Sequence, residues 1–362
     1  MKKFLIFNFV CLILRSFSFA QDGFTNKDEA ENKLIGKLKE GKWIEYKDSL
    51  GKSTSKDSAA FYHLVIYNKD VATGTGRDYY VSGNLQNEHT YINGLKNGES
   101  KWYYEDGKLF ADAIYKDDKR TGISKWYFKS SNLKEEAIYA DGKRKSVCKW
   151  YYDGGKLNSE VNYDDGQRNG IQKWYDEKGN IQQEVSYISG NRAGVSKWYF
   201  ENGKVKSEAY YFDDKKNGPQ KWYYETGVLK QETNFLEGKE NGIQKRYYEN
   251  GVLSNEYSYK DDKRDGEQKW YYKSGKLQAT ANYKNDKENG LSKWYFENGK
   301  LLQEAVFVNG KLNGMSKWYY ENSGKLYSEV TYDNGKMNGI KKSYTEVGKL
   351  YLQEKYVDGL KQ

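Results

Sequence analysis

From Lys101 onward the chain alternates apolar and polar residues in short runs, broken at regular intervals by glycine. The run Lys-Trp-Tyr-Tyr/Phe returns at Lys101, Lys125, Lys149, Lys173, Lys197, Lys221, Lys245, Lys269, Lys293 and Lys317, with a spacing of 24 residues each time. Arg246 replaces the tryptophan once, and Asp176 once stands where the last aromatic is usual. Residues 149–172, KWYYDGGKLNSEVNYDDGQRNGIQ, serve as the type unit. Four strand-like residues lead to a glycine at unit position 7, a second alternating run follows, and a longer turn ends in Asn169-Gly170. Alternation with a period of two is the mark of a half-buried strand, so each unit is predicted to be a β-hairpin. Residues 77–100 and 41–76 are weaker copies, the second with an insertion around 47–59, and residues 342–362 are a degenerate last copy.

Asn202-Gly203, Asn250-Gly251 and Asn298-Gly299 predict two-residue type I′ turns at positions 6 and 7. Ser131 replaces this glycine in one unit, where a looser turn is expected. Strand pairing then sets position 4 against 9, 3 against 10, 2 against 11 and 1 against 12. One face collects positions 2, 4, 9, 11, 13 and 15, which in the type unit are Trp150, Tyr152, Leu157, Ser159, Val161 and Tyr163. The other collects lysine at 1, tyrosine at 3 and glutamate at 12, giving the facing pairs Lys125–Glu136, Lys149–Glu160, Lys173–Glu184, Lys197–Glu208, Lys221–Glu232 and Lys293–Glu304. Thr280 interrupts the pattern opposite Lys269. The small residues Ala111, Ser159, Ser207 and Ala279 face the indoles. A hairpin of this kind cannot bury its apolar side alone, so neighbouring units must stack. The expected fold is all-β: an elongated, twisted, single-layer antiparallel meander of tandem 24-residue hairpins. Coiling of the sheet, or a second copy of the chain, would cover the apolar side.

Composition agrees with this picture. Only 37% of the residues are hydrophobic, while there are 36 tyrosines, 10 tryptophans, 36 glycines and a single proline, Pro219. Such a chain builds a thin core from rings, each burying roughly 150–250 Å². Its beginning differs from the rest. Lys2 and Lys3 precede an apolar run from Phe4 to Leu14, and Ser18-Phe19-Ala20 has the small-residue spacing of a secretory cleavage site. Residues 1–20 are therefore expected to be a signal peptide, and the protein to be exported to the periplasm, the outer-membrane surface or the exterior. No later segment is long and apolar enough for a membrane helix. Cleavage removes Lys2, Lys3 and Arg15 and takes the formal charge from +9 to +6, a mild bias that argues against nucleic acid. Only Cys148 survives cleavage, so no intrachain disulfide is possible.

The recurring pattern G-x-x-K-W-Y-Y-x-x-G-K-L-x-x-E, clear at 194–218 and 290–314, resembles the bacterial variant of the MORN repeat, as in YwqK-type repeat proteins. The resemblance covers residues 77–341 strongly and both flanks weakly. It implies a curved antiparallel meander used as a scaffold for protein contacts. By family analogy alone it also brings in membrane-lipid contact, and an antitoxin or immunity role is an alternative. The organisation expected is a signal peptide at 1–20, a capping segment with one degenerate repeat at 21–76, tandem repeats at 77–341 and a capping repeat at 342–362.

No catalytic constellation is legible. His63 and His89 are the only histidines, they lie in different units, and no serine or cysteine partners them in a recognisable motif. Glu136, Glu160, Glu184 and their counterparts recur in every unit, as a ladder residue does and an active-site acid does not. Asp117-Asp118, Asp164-Asp165, Asp213-Asp214 and Asp261-Asp262 read as turn residues; they lack the ligand spacing of a calcium loop. No metal or cofactor is expected, and the chain reads as a non-enzyme. Position 3 carries more interest, because tyrosine fills it at 79, 103, 127, 151, 175, 199, 223, 247, 271, 295 and 319. Tyr103, Tyr127, Tyr151, Tyr175, Tyr199, Tyr223, Tyr247, Tyr271, Tyr295 and Tyr319 are the candidate binding stripe, since amphipathic rings suit protein or glycan partners. The expected partner is a protein or cell-envelope component, with a cell-wall glycan held along the tyrosines and lysines as the alternative.

Overall fold

Two kinds of turn alternate along the chain, and together they determine which side chains share a face. The computed structural model describes residues 24–362, so the expected signal peptide and its cleavage site lie outside the described residues. The described chain falls into two compact units, one ending at Gly155 and one spanning Lys156–Gln362. Each is an antiparallel meander in which strands pair with their neighbours in sequence. Among the described residues the only helical elements are two 3-10 turns, Lys27–Glu29 and Lys56–Ser58. The second occupies the insertion that the repeat pattern marked around 47–59.

The first turn is not the two-residue type I′ turn expected from Asn-Gly. In the unit beginning at Lys197, Gly203 N–H donates to the Phe200 carbonyl (3.0 Å), and Phe200 N–H donates to the Lys204 carbonyl (2.8 Å). Only Gly203 is left-handed, with φ of 79°. The loop therefore has three residues, a type I turn closed by a glycine bulge. Asn202 earns its place through its side chain instead, accepting the Lys204 backbone N–H at 3.0 Å. The type I′ turns lie at positions 17 and 18, where both residues are left-handed, as at Asp213 and Asp214 (φ 49° and 62°). The longer turn expected to end in Asn169-Gly170 is thus a two-residue turn at Asp165-Gly166, and Asn169-Gly170 marks a break in the returning chain between the strands Gln167–Arg168 and Gly170–Tyr175.

Aspartate suits position 18 because its carboxylate reaches the preceding unit. Asp118 accepts the Lys96 backbone N–H at 2.7 Å, Asp214 that of Arg192 at 3.0 Å, and Asp262 that of Glu240 at 2.7 Å.

The three-residue loop changes the register near the turn. Positions 1 and 12 face each other as expected, and so do 2 and 11: Lys173 lies opposite Glu184 and Trp174 opposite Gln183. Beyond them Tyr175 pairs with Ile181, which leaves Gln182 as an extra residue. The same shift occurs at Tyr199, Tyr223 and Tyr271. Paired residues share a face. The aliphatic at position 9 therefore sits beside tyrosine 3, not beside tryptophan 2 as the simpler register implied. The residue at 10 moves to the indole side, where Phe110 meets the Tyr104 ring at 5.2 Å.

The buried seam runs through positions 11, 13 and 24. Ala111, Ser159 and Ala279 are buried at 11, and Ala137, Val161, Ala209, Ala305 and Val330 at 13. Position 24, which the alternation left unassigned, is just as deep: Ser124, Cys148, Ser196, Gln268 and Ser292 have no accessible surface. Burial raises the Cys148 thiol pKa above its ordinary value, which disfavours the reactive thiolate. Arginines fold over the rings beside this seam. Arg264 lies 4.2 Å from the centre of Tyr283, Arg192 lies 4.5 Å from that of Tyr211, and Arg120 lies within 6 Å of Trp102, Tyr115, Trp126 and Tyr139. The guanidinium planes partly roof a face that, among the described residues, no second layer covers within either unit.

At its start the first unit is closed by Phe24, which packs on Leu64 and Tyr79 and accepts a bond from Arg77 Nη1 on its carbonyl (3.2 Å). The unit's strands begin with β1 (Lys33–Ile35), β2 (Leu38–Lys47), β3 (Phe61–Asn68), β4 (Val71–Tyr80), β5 (Leu85–Ile92) and β6 (Leu95–Tyr103).

Candidate functional site: the lysine, tyrosine and glutamate face

Each position-12 glutamate sits between two lysine strands. Glu184 lies opposite Lys173 on one side and Lys197 on the other. The ammonium groups lie 3.4–3.9 Å from the carboxylates in Lys173–Glu184, Lys221–Glu232, Lys245–Glu256, Lys317–Glu304 and Lys342–Glu329, and at 3.8 Å in Lys125–Glu136 of the first unit. These pairs are partly solvated, so each is worth at most about 1 kcal/mol. Lys269, facing Thr280, turns to Glu267 instead, at 3.0 Å.

The tyrosine column lies on this face, but its hydroxyls are engaged. Seven donate to the carboxylate at position 12 of the preceding repeat: Tyr103 to Glu88 (3.0 Å) and Tyr127 to Asp112 (3.2 Å) in the first unit. In the second unit Tyr175 donates to Glu160 (2.9 Å), Tyr199 to Glu184 (2.6 Å), Tyr223 to Glu208 (3.0 Å), Tyr271 to Glu256 (3.0 Å) and Tyr319 to Glu304 (2.8 Å). Burial and the neighbouring carboxylate push these seven hydroxyls up to about 12. Tyr151 occupies the same column. Tyr295, whose counterpart of the glutamate is Thr280, makes no such bond, and neither does Tyr247 beside Arg246. The rings are half-buried. The position-4 tyrosines tie adjacent repeats together as well: Tyr224, Tyr248 and Tyr272 donate to the carbonyls of Tyr247, Tyr271 and Tyr295 at 2.7–2.8 Å.

The same face carries a second column that the alternation did not single out. Position 23 is aliphatic in most repeats, and its side chains project beside the lysines. In the second unit Ile171, Val195, Ile243, Leu291, Met315 and Ile340 are 42–52% exposed, and in the first Ile123 and Val147 are 47% and 41% exposed. Pairing places them across from position 14, as Ile171 faces Ser186 and Leu291 faces Val306. The signal was present in the sequence as an aliphatic one residue after the Asn-Gly step. Asn-Gly is more often a turn-closing step than the start of a strand, and here Gly170 opens the strand Gly170–Tyr175.

The face thus offers aliphatic side chains beside ammonium groups, with carboxylates and phenols held in place behind them. That chemistry suits contact with another macromolecule. Nothing along it pairs a nucleophile with a base. Among the described residues no group of three or more His, Cys, Asp or Glu is placed to hold a metal ion, and no helix is long and apolar enough to cross a membrane.

Ten consecutive segments match the model of the MORN repeat variant: residues 96–117, 120–141, 146–165, 168–189, 192–213, 216–237, 240–261, 264–285, 288–309 and 312–334. No curated protein matches the chain. Among solved structures it is similar to the TcdB2-TccC3-Cdc42 crystal structure, with 10% identity over 84% of this chain and 20% of that one and a TM-score of 0.16. A Photorhabdus luminescens Tc holotoxin pore gives 11% identity, 86% and 20% coverage and the same TM-score. The chain spans about a fifth of the length of those proteins.

Proposed function

Because this chain belongs to the MORN repeat variant family, whose repeats form scaffolds that are generally non-catalytic, we propose that it is an exported, non-enzymatic scaffold binding a protein of the cell envelope. One observation carries the reading: an exposed aliphatic stands at position 23 beside the lysines in most repeats, interrupted at Glu99, Pro219 and Glu267. Single exposed aliphatics are ordinary on a protein surface, but a column in register marks an interaction surface. Export is supported by the leader-like residues 1–20, and the periplasm, the outer-membrane surface and the exterior are the destinations it allows. A glycan lying along the tyrosines is the weaker reading, since most of those hydroxyls already donate to glutamates.

The test is affinity capture from envelope extracts with the full chain, beside sedimentation with purified peptidoglycan. A variant with Ile171, Val195, Ile243, Leu291, Met315 and Ile340 all changed to Ser should lose the captured protein, while Tyr199→Ala, Tyr223→Ala and Tyr247→Ala together should matter less. Capture that survives the serine variant, or co-sedimentation with peptidoglycan that depends on the tyrosines, would overturn the reading. Cell fractionation tests export, which fails if the chain stays in the cytoplasm with residues 1–20 attached.

A further inference from the structure

At the start of the first unit the repeat gives way to a row of polar side chains. Cross-strand pairing aligns Glu45 on β2 with His63 on β3, His63 with Asp78 on β4, Asp78 with Asn87 on β5, and Asn87 with Trp102 on β6. Asp78 occupies the position that holds tryptophan in the repeats that follow, and Glu45 stands in the equivalent place one strand pair earlier. Glutamate, histidine, aspartate and asparagine thus replace the indoles and the small residues that face them.

The replacement opens a cleft of about 470 Å³. Glu45, His63 and Asp78 line it together with the rings of Phe61, Tyr67 and Tyr91. Gly76 makes the arrangement possible. A Cβ there would lie 2.8 Å from the Tyr91 ring and 3.1 Å from that of His63, whereas later repeats place serine, glutamine or cysteine at this position.

Most of the polar groups inside already have a partner. His63 Nδ1 lies 2.6 Å from Asp78 Oδ1 and donates to it, because an ionised carboxylate can only accept. Burial opposes ionisation of Asp78, but the bond from His63 holds its carboxyl below the ordinary range. Glu45 is half-buried, which opposes its ionisation, yet Lys39 and Lys47 bring its carboxyl down to about 2. Tyr67 donates its hydroxyl to Glu45 at 3.2 Å. Lys47 and Asp70 line the cleft as well. Lys47 is taken up by Glu45 at 3.1 Å, so an anion would find no free cation, while the Asp70 carboxylate accepts the Lys39 backbone N–H at 2.6 Å and keeps lone pairs open to a hydroxyl donor. What the cleft offers is unfilled carboxylate lone pairs, the second nitrogen of His63, the Tyr91 hydroxyl and three ring faces.

We propose that this cleft is a binding site for a neutral, hydroxyl-rich small molecule, a sugar of one or two rings. Its volume lies within the roughly 300–1,000 Å³ of small-ligand sites, and its lining is more polar than is usual for them. Fixed acceptors recognise hydroxyl groups strongly, because an analogue without them leaves buried polar groups unpaired. The rings supply the apolar contact that a sugar's C–H face requires. This site is separate from the lysine and aliphatic face, and it requires no catalytic step.

Saturation-transfer NMR on the full chain tests it. The probes are maltose, cellobiose and diacetylchitobiose as neutral sugars, with arginine and citrate as charged controls. At least one sugar should receive saturation and the charged controls none. Ala72→Leu, which fills the cleft across from Tyr67, should weaken sugar binding about tenfold or more, and Tyr67→Phe, which keeps the ring, by a few-fold. Circular dichroism melts confirm that each variant folds, and Tyr67→Phe keeps the test decisive if Ala72→Leu does not. No transfer to any sugar, stronger transfer to arginine or citrate, or sugar binding that neither substitution changes would each overturn the proposal.

Discussion

Tyr199 donates its hydroxyl to Glu184 across 2.6 Å, and Glu184 in turn lies directly opposite Lys173 and Lys197 on its two neighbouring strands. One carboxylate therefore serves both a phenol and the ammonium group of Lys173, 3.9 Å away. The unit recurs along the sheet, which explains why lysine, tyrosine and glutamate keep their 24-residue phase together. Where the glutamate is missing, at Thr280, both partners change: Lys269 turns to Glu267 and Tyr295 loses its acceptor.

Tyr199→Phe should lower unfolding stability by about 0.5–1.5 kcal/mol, the net worth of one partly buried hydrogen bond. Tyr295→Phe removes a hydroxyl with no carboxylate to receive it and should cost less. Urea denaturation of the two variants measures the difference. Equal losses would show that the bond to glutamate contributes nothing.

The tyrosine ladder also predicts a pH limit. A hydroxyl raised from 10.0 to about 12 in the fold stays protonated there while its unfolded counterpart ionises. The stability it contributes is complete below pH 10 and is lost as pH rises towards 12. Denaturation midpoints should therefore fall across this window, and tyrosinate absorbance should develop later in the folded chain than in the unfolded one. Coincident absorbance curves would remove the ladder as the cause.

The bulged turn separates two substitutions that a type I′ turn would treat alike. Gly203 is left-handed at φ 79° with open space around it, so Gly203→Ala should cost about 1–2 kcal/mol from backbone strain alone. Asn202 has an ordinary negative φ and anchors Lys204 N–H through its side chain, so Asn202→Gly should destabilise as well. In a type I′ turn that second change would be neutral or favourable. Thermal melts of the two variants decide between the turns.

Ser196 is fully buried and its hydroxyl has no hydrogen-bond partner. Ser196→Ala should accordingly be neutral or stabilise by up to about 1 kcal/mol, since burying an unpaired hydroxyl costs free energy. A clear loss of stability on urea denaturation would reveal a partner for that hydroxyl.

Arg264→Ala should destabilise by about 0.5–2 kcal/mol, because its guanidinium lies 4.2 Å from the Tyr283 ring centre and covers apolar surface. Arg264→Lys should recover part of the loss. An alanine variant as stable as the parent would mean that the arginines do not roof the ring face.

The repeat length, the strand content and the pairing of lysine with glutamate could all be read from the sequence, because each is set by neighbours along one strand or directly across a hairpin. Trp174 faces Gln183 and Lys173 faces Glu184 as alternation alone requires. The turn could not be read in the same way. Asn-Gly fits both a type I′ turn and a bulged type I turn, and the choice depends on which donors Asn202 and its neighbours satisfy once the strands are paired. The single-residue shift that follows moved position 9 to the tyrosine side and position 10 to the indole side.

His63 shows the limit most clearly. Its partners Glu45 and Asp78 are distant in sequence and belong to no motif, and only strand register sets them in one row. Local periodicity could establish that the chain is a repeated antiparallel sheet. Tertiary structure alone decided which hydroxyls are engaged, which aliphatics remain in water and where the row of indoles opens into a polar cleft, because those outcomes depend on residues that meet across strands rather than along them.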